Sequence, residues 1–233
     1  MFKIMLTSPD NLSVLSDNIT LSKKLDLIEK VDICNQDQLS SLYSFLESKI
    51  LKQGFNPDWI DGTIYKLLLN SNNSRILELL EANFEHGLVD SNSTFYFSHI
   101  ELQKLLLENN FQEADIYTSK LLCNLANINT RKWLYFSDVN KIPQNELVIV
   151  DMLWKIFSQG KFGFSVQRQI WLNNDKNWNL LWDKIGWRNQ EVLCRYPEEF
   201  VWDLTAPIGH LPLSNQLRGV QTLNSLFQLR IWD

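Results

Sequence analysis

A glycine-rich, basic stretch near the middle of the chain raises the question of phosphate binding. Residues 158–171 read SQGKFGFSVQRQIW. This spacing matches neither G-x-x-x-x-G-K-S/T nor G-x-G-x-x-G, and no β-branched strand precedes it. The alternative interpretation is structural: Gly160 ends one helix at its C′ position, and Ser165 is the N-cap of the next helix, 166–171. We favour this second interpretation, in which Phe162 and Phe164 pack into the core.

The acidic, thiol and imidazole side chains do not form a recognisable catalytic or metal-binding pattern. Asp151 and Asp203 could act as acids, but neither has a histidine or a second carboxylate at useful spacing. Asp151 also lies inside an apolar segment, a position typical of a buried, hydrogen-bonded residue. The cysteines are odd in number and far apart, which predicts free thiols in a reducing compartment. The histidines also lack metal-ligand spacing. We therefore expect no enzyme and no metal site, although a triad assembled from distant residues stays open. The three cysteines and three histidines are Cys34, Cys123, Cys194, His86, His99 and His210.

Composition limits the function classes further. The chain has 233 residues, of which 45% are hydrophobic and 21% charged, and its net charge is −5, which favours a globular protein and disfavours a general nucleic-acid binder. No run approaches the roughly 20 apolar residues of a membrane span, and the N-terminus resembles no targeting peptide. Abundant Asn, Lys, Ile and Leu hint at an organellar gene.

A helical apolar period and few glycines and prolines predict an all-α fold. In the first third, helices are expected at 38–51, ended by Gly54 at C′, at 58–69 and at 74–84. The first of these places one set of residues on its inner face: Leu39, Leu42, Phe45, Leu46 and Ile50. Residues 85–93 are polar and interrupt the period, so we expect an N-terminal helical bundle over 1–86 and a second domain over 97–233.

The second domain concentrates tryptophan, since eight of the nine lie after residue 130. A nearly all-apolar helix at 146–159 should be central, and 177–185 is amphipathic. Ser214 is predicted to cap a long last helix, whose inner face includes Leu217, Val220, Phe227 and Ile231 and whose other face includes Arg218, Gln221 and Ser225. Between these helices, residues 187–213 hold aromatics and three prolines, which predicts a long loop ordered against the body.

Aromatic and basic residues point to a ligand-binding cleft built from Trp133–Phe136, the loop 187–213 and the start of the last helix. Such a cleft suits a flat, hydrophobic, anionic ligand, because rings stack on aromatic side chains and arginine binds carboxylates. Single-stranded nucleic acid uses the same residue types. Core packing alone could account for about half of these aromatics on composition.

Several motifs resemble the genomes-uncoupled-four family of porphyrin-binding magnesium chelatase activators: RKWLYFSDVNKIP at 131–143, DMLWKIFSQGKFGFSVQRQIW at 151–171, KIGW at 184–187 and FVWDLTAPIGHLPLSNQLRGV at 200–220. The resemblance covers about 97–233, and more loosely the preceding helices. It implies an all-helical "cupped hand" with long ordered loops that binds protoporphyrin IX or Mg-protoporphyrin IX without catalysis. It also implies the porphyrin-binding large subunit of magnesium chelatase as the partner.

The family's porphyrin-binding positions carry over to Phe136, Tyr196, Asn215 and Arg218. Tyr196 stands where close relatives carry a tryptophan, and Gln221 where they carry a second arginine, which puts one propionate contact in doubt. The resemblance and composition favour a plastid-encoded protein of the stroma, with cyanobacterial cytoplasm as the alternative. Peripheral membrane association is left open, and a helical protein–protein adaptor without a ligand is the competing hypothesis.

Overall fold

The structure is a computed structural model that describes Leu15 and residues 20–54, 56–88, 95–213 and 220–233. The chain divides into two compact units, residues 1–89 and 90–233. The all-α prediction is confirmed, with one small two-stranded hairpin added within the second unit. None of the described helices is long and apolar enough to cross a membrane.

The described residues of the first unit form four α-helices, three of which begin at a side-chain cap. They are α1 (Leu21–Glu29), α2 (Gln36–Glu47), α3 (Trp59–Leu69) and α4 (Ser74–Asn83), and a π-helical turn, Ser48–Lys52, continues α2. Asn35, Asp58 and Asn73 cap α2, α3 and α4 through side-chain oxygens that accept backbone N–H groups. Gly54 follows the turn with φ +68°, as predicted for a C′ stop.

The apolar faces of α2, α3 and α4 form the core of the first unit. The predicted inner face of α2 is confirmed for Leu39, Leu42 and Leu46, whereas Phe45 and Ile50 are half-buried and Tyr43 is buried instead. The π-helical turn accounts for Ile50, because its wider winding rotates this residue off the face expected for a continuous α-helix.

The second unit is built around α7, most of whose apolar side chains are buried. Its α-helices are α5 (Tyr96–Leu107), α6 (Phe111–Leu125), α7 (Gln144–Phe157), α8 (Phe164–Asn173), α9 (Trp178–Lys184) and α10 (Gln221–Phe227). Strands β1 (Arg188–Asn189) and β2 (Val192–Leu193) form an antiparallel hairpin. Two 3-10 turns, Phe136–Lys141 and Arg230–Trp232, complete the list.

The turn between α7 and α8 corrects two details of the sequence interpretation. Gly160 lies at C″, not C′, since its N–H donates to the Lys155 carbonyl and Gln159 precedes it with φ +56°, the pattern of a Schellman motif. Ser165 is not the N-cap of α8. Gly163 holds that position, and both the N–H and the hydroxyl of Ser165 donate to the Asp151 carboxylate. The cap therefore comes from the neighbouring helix α7.

Asp151 is thus a buried, hydrogen-bonded residue, as the sequence predicted. It is 4% exposed, and burial raises its pKa, an effect that the hydrogen bonds from Ser165 oppose. Phe162 and Phe164 are fully buried as predicted, and Phe162 packs edge-on against Phe111 with ring centroids 5.4 Å apart. The stretch 158–171 is scaffold in this structure.

Gly163→Ala should destabilise the chain by about 2–3 kcal/mol. Gly163 has φ +135°, and an added Cβ would lie 2.8 Å from Asp151 Oδ1, so backbone strain and a steric clash both oppose alanine. Urea unfolding followed by far-UV circular dichroism measures the effect, because the helices of both units contribute to this signal. Gly54→Ala is the control, since Gly54 also has positive φ but no atom within 4 Å of an added Cβ. Equal losses from both changes would contradict the clash.

The last predicted helix is shorter than expected within the part that the structure describes. Helix α10 begins at Gln221, after Val220, and ends at Phe227, while Ile231 lies in the separate 3-10 turn. Ser214, Leu217 and Arg218 fall outside the described residues. Gln221 is exposed and Phe227 is buried, as predicted for opposite faces.

Candidate functional site

The first loop, residues 131–141, carries Phe136 and is folded around one buried carboxylate. Asp138 is 2% exposed. The Tyr135 N–H donates to its Oδ2 over 2.8 Å and the Lys141 ammonium to its Oδ1 over 2.9 Å. Arg131 donates both to Asp138 Oδ2 and to the Trp133 carbonyl. These bonds fix the loop at both ends and in its middle.

Two aromatic rings protrude from this fixed loop. Tyr135 is 48% exposed and Phe136 is 53% exposed. The Arg131 guanidinium lies 4.3 Å from the Tyr135 ring centroid, a cation–π contact that holds this ring in place. The loop therefore presents apolar ring surface to solvent from a backbone held by hydrogen bonds, and this surface is available to a ligand or partner.

The charge of Asp138 is stabilised by its partners. Burial alone raises the pKa of this carboxyl, but hydrogen bonds from Lys141, the Tyr135 N–H and Arg131 outweigh burial and lower the pKa to about 2. Because a carboxylate that accepts several bonds favours its charged form, Asp138 is ionised throughout the physiological range. Its contribution to stability is present above the usual pKa of about 3.8 and is lost as pH falls toward 2.

The second loop, 187–213, is ordered against the body as predicted, and Trp187 and His210 hold its two ends together. Trp187 is fully buried and its Nε1–H donates to the His210 carbonyl over 2.7 Å. His210 Nδ1 lies 2.6 Å from the Ile185 carbonyl, and its Nε2 accepts the Val201 N–H. A carbonyl can only accept and an N–H only donate, so the imidazole is neutral with its proton on Nδ1. Burial lowers the pKa of His210, which favours this neutral form.

Tyr196 is the exposed aromatic of the second loop. The residue is 40% exposed, and its ring meets the Trp202 ring edge-on with centroids 5.8 Å apart and the Phe200 ring at 6.4 Å. Burial raises the pKa of its hydroxyl, and the negative charges of Asp115 and Glu113 raise it further. Tyr196 is therefore backed by two aromatic rings and lies within the field of two carboxylates on α6.

Asp115 connects helix α6 to the end of the second loop. Its side chain is buried and accepts the Leu213 N–H over 2.6 Å. Burial raises the pKa of Asp115 to about 7, although the Leu213 bond opposes the change. Leu213 directly precedes residues 214–219, which contain the predicted contacts Asn215 and Arg218. Those two residues lie outside the described residues, so their roles stay predictions.

A small cavity lies between the first loop, α6 and α10. It has a volume of ≈ 90 Å³ and is lined by Ser119, Leu122, Lys132, Trp133, Leu134, Leu213, Thr222 and Leu226. Helix α10 packs against the turn Phe136–Lys141, and the Thr222 hydroxyl lies 3.5 Å from the Leu134 carbonyl. Three of the lining residues, Lys132, Trp133 and Leu134, directly precede the exposed aromatics Tyr135 and Phe136 in the first loop.

These features suit binding better than chemistry. Phe136 and Tyr196 lie on separate loops, and no ring contact joins them among the described residues. Within the same described ranges, no group of three or more His, Cys, Asp and Glu side chains could hold a metal ion. The second unit presents exposed aromatic rings on two fixed loops, and the loop that carries Phe136 also contains Arg131, Lys132 and Lys141.

The family model described as GUN4-like matches residues 92–230, which is more than half of the chain. The chain belongs to the GUN4-like family. A ycf53 protein of Porphyra purpurea is 45% identical to this GUN4-like chain over 215 residues, covering 91% of the chain and 90% of the relative. The chloroplastic tetrapyrrole-binding protein of Arabidopsis thaliana is 38% identical over 133 residues, covering 52% and 50%. The solved GUN4 structure of Chlamydomonas reinhardtii is 35% identical with a TM-score of 0.57, covering 62% of this chain and 96% of that one.

Sequence reasoning missed three functional candidates in this GUN4-like unit. They are Asp138, which organises the first loop, Asp115, which holds the end of the second, and Lys132, which borders the cavity. Asp138 could have been suspected from its position between Arg131 and Lys141 in one short motif. Asp115 gave no such signal, because its partner Leu213 is 98 residues away.

Proposed function

We propose that this chain is a non-catalytic porphyrin-binding protein that stimulates magnesium chelatase in chlorophyll biosynthesis. In this proposal residues 97–233 form the ligand-binding domain and residues 1–86 an accessory helical bundle. Protoporphyrin IX or its magnesium complex is the ligand, and the porphyrin-binding large subunit of the chelatase is the partner. The protein works in the plastid stroma, since one relative is named as chloroplastic.

The family match over 92–230, together with the exposed rings in that segment, carries the proposal. A porphyrin is a broad apolar disc with two carboxylates at one edge, so most of its affinity comes from apolar burial at about 25 cal/mol per Å². Phe136 and Tyr196 supply ring surface, and their loops are already fixed by hydrogen bonds before a ligand arrives. Preorganised loops lose little entropy on binding. Asn215 and Arg218 are proposed as polar contacts to the ligand.

Removing the Phe136 ring should weaken porphyrin binding. Protoporphyrin IX titrated into the native chain should quench tryptophan fluorescence saturably at micromolar concentration. Phe136→Ala should raise the Kd about tenfold, because it removes one stacking ring and its apolar contact area. The control is Phe97→Ala on α5, a phenylalanine that is 83% exposed and outside both loops.

Three outcomes of the titration would contradict parts of the proposal. Absence of saturable quenching in the native chain would contradict porphyrin binding itself. Equal Kd values for Phe136→Ala and the native chain would contradict the location of the site. If the chelatase subunit bound equally well with and without porphyrin, the adaptor hypothesis would be preferred over a porphyrin-dependent activator.

A further inference from the structure

The first loop has a strong local excess of positive charge. Residues 131–141 contain three cations, Arg131, Lys132 and Lys141, and one anion, Asp138. The segment therefore has a net charge of +2 in a chain whose total is −5. Because charges of one sign on one small surface attract ligands of the other sign, this loop favours an anionic group.

Lys132 differs from the other two cations because it has no carboxylate partner among the described residues. Arg131 and Lys141 both bind Asp138, whereas Lys132 is exposed and forms no ion pair within the part of the chain that the structure describes. Lysine commonly places its ammonium at the edge of an apolar surface while its methylene chain lies along that surface. Lys132 is exposed and lines the cavity, so its flexible side chain can reach a charged group bound there.

The cavity beside Lys132 has the size and lining of a site for a short apolar arm. Its ≈ 90 Å³ corresponds to the volume of about three water molecules. Pockets that enclose a drug-sized ligand have several hundred Å³, so this cavity suits a side arm better than a whole macrocycle. The walls are mainly apolar, from Leu122, Trp133, Leu213 and Leu226, and the hydroxyl residues Ser119 and Thr222 also contribute to the lining.

We propose that this cavity is a subsite for a short carboxylate side arm of the bound ligand, whose terminal carboxylate enters the cavity and pairs with Lys132 while its methylene groups contact the apolar walls. The inference rests on the proposed porphyrin-binding function, in which a propionate is the arm concerned and the macrocycle itself lies outside the cavity against the exposed rings of the first loop. Lys132 is then a specificity-determining residue, since it distinguishes a free carboxylate from a neutral substituent.

The test compares deuteroporphyrin IX with its dimethyl ester, which has the same ring and no carboxylates. Lys132→Met keeps the apolar stem and removes the charge. It should weaken binding of the acid about three- to tenfold, the range for a partly exposed charge-assisted contact, and leave the Kd of the ester unchanged. The loss should shrink in high salt, because a partly exposed ion pair is screened.

Two further variants separate the subsite from general effects. Lys184→Met removes an exposed lysine at the end of α9 and should leave both Kd values unchanged. Ser119→Leu fills the cavity from α6 and should weaken binding of the acid even though no charge is altered. Thermal unfolding checks that each variant is folded.

The subsite is overturned if Lys132→Met binds the acid as tightly as the native chain, or if it weakens acid and ester equally. Either result can occur while the native chain binds porphyrin, so it would leave the proposed function intact. If the native chain binds neither compound, the proposed function fails and the subsite fails with it.

Discussion

Replacing Asp138 with alanine is expected to cost about 3–5 kcal/mol of stability and to impair ligand binding. Asp138 is 2% exposed and accepts bonds from the Tyr135 N–H, Lys141 and Arg131. Removing one partner of a buried ion pair leaves the other charge uncompensated, which is more costly than the pair itself is favourable. Here the Arg131 guanidinium would lose its carboxylate partner. Water could replace that partner only in part, because the Arg131 side chain is 17% exposed.

The two consequences can be measured separately. Urea unfolding gives the change in stability, and porphyrin titration under folding conditions gives the change in Kd. The Kd should rise because Phe136 would no longer be held by a fixed loop. Asp203→Ala is the control, since Asp203 is also an aspartate on a loop but is exposed and bonds to Thr205; it should change both quantities little. An unaltered unfolding midpoint for Asp138→Ala would show that the loop does not depend on this carboxylate.

The Asp115→Asn variant is expected to be more stable than the native chain at pH 8, by about 4 kcal/mol. Burial raises the pKa of Asp115 from 3.8 to about 7 in the folded state. A group with a raised folded pKa stabilises the fold when protonated, so its contribution is complete below the unfolded pKa and is lost as pH rises through the folded value. One pH unit between the two pKa values corresponds to about 1.4 kcal/mol, which gives the magnitude.

Asparagine suits this test because it is neutral and keeps an oxygen that can accept the Leu213 N–H. The stability difference between variant and native chain should be near zero at pH 4, grow up to pH 7 and stay constant above it. Taking the difference removes the titration of the other carboxylates, including Asp138 and Asp151. Asp115→Leu is the matched control: it is also neutral but lacks the acceptor, and it should be less stable than Asp115→Asn at every pH. A difference that does not vary with pH would contradict an ionisable, buried Asp115.

Local patterns in the sequence were sufficient where neighbouring residues alone decide the outcome. The 3.6-residue apolar period of α3, α4, α7 and α9 predicted these helices to within about two residues, since burial of one face stabilises a helix wherever it lies. Gly54 was placed correctly for the same reason, because a positive φ after a helix favours glycine locally. The side chain of Asp151 was predicted to be buried and hydrogen-bonded from the apolar residues around it.

Contacts between distant segments account for what local patterns missed. Ser165 has the composition of an N-cap, yet Asp151, fourteen residues earlier, supplies the acceptor for α8. The hairpin Arg188–Leu193 has no alternating strand pattern, and it directly follows Trp187, whose ring N–H donates to the carbonyl of the distant His210. The π-helical turn after α2 likewise could not be read from an apolar period that continues through it.

The sequence by itself determined the helical class of this protein, its family and the two aromatic residues proposed to bind the ligand, because these depend on residue types and their order along the chain. Only the tertiary structure decided that Phe136 and Tyr196 are exposed, that Asp138 and Asp115 hold their loops, and that Lys132 borders a cavity. Exposure, burial and pairing depend on which residues approach one another in space. Asp115 and Leu213 are 98 residues apart, so no local pattern could link them.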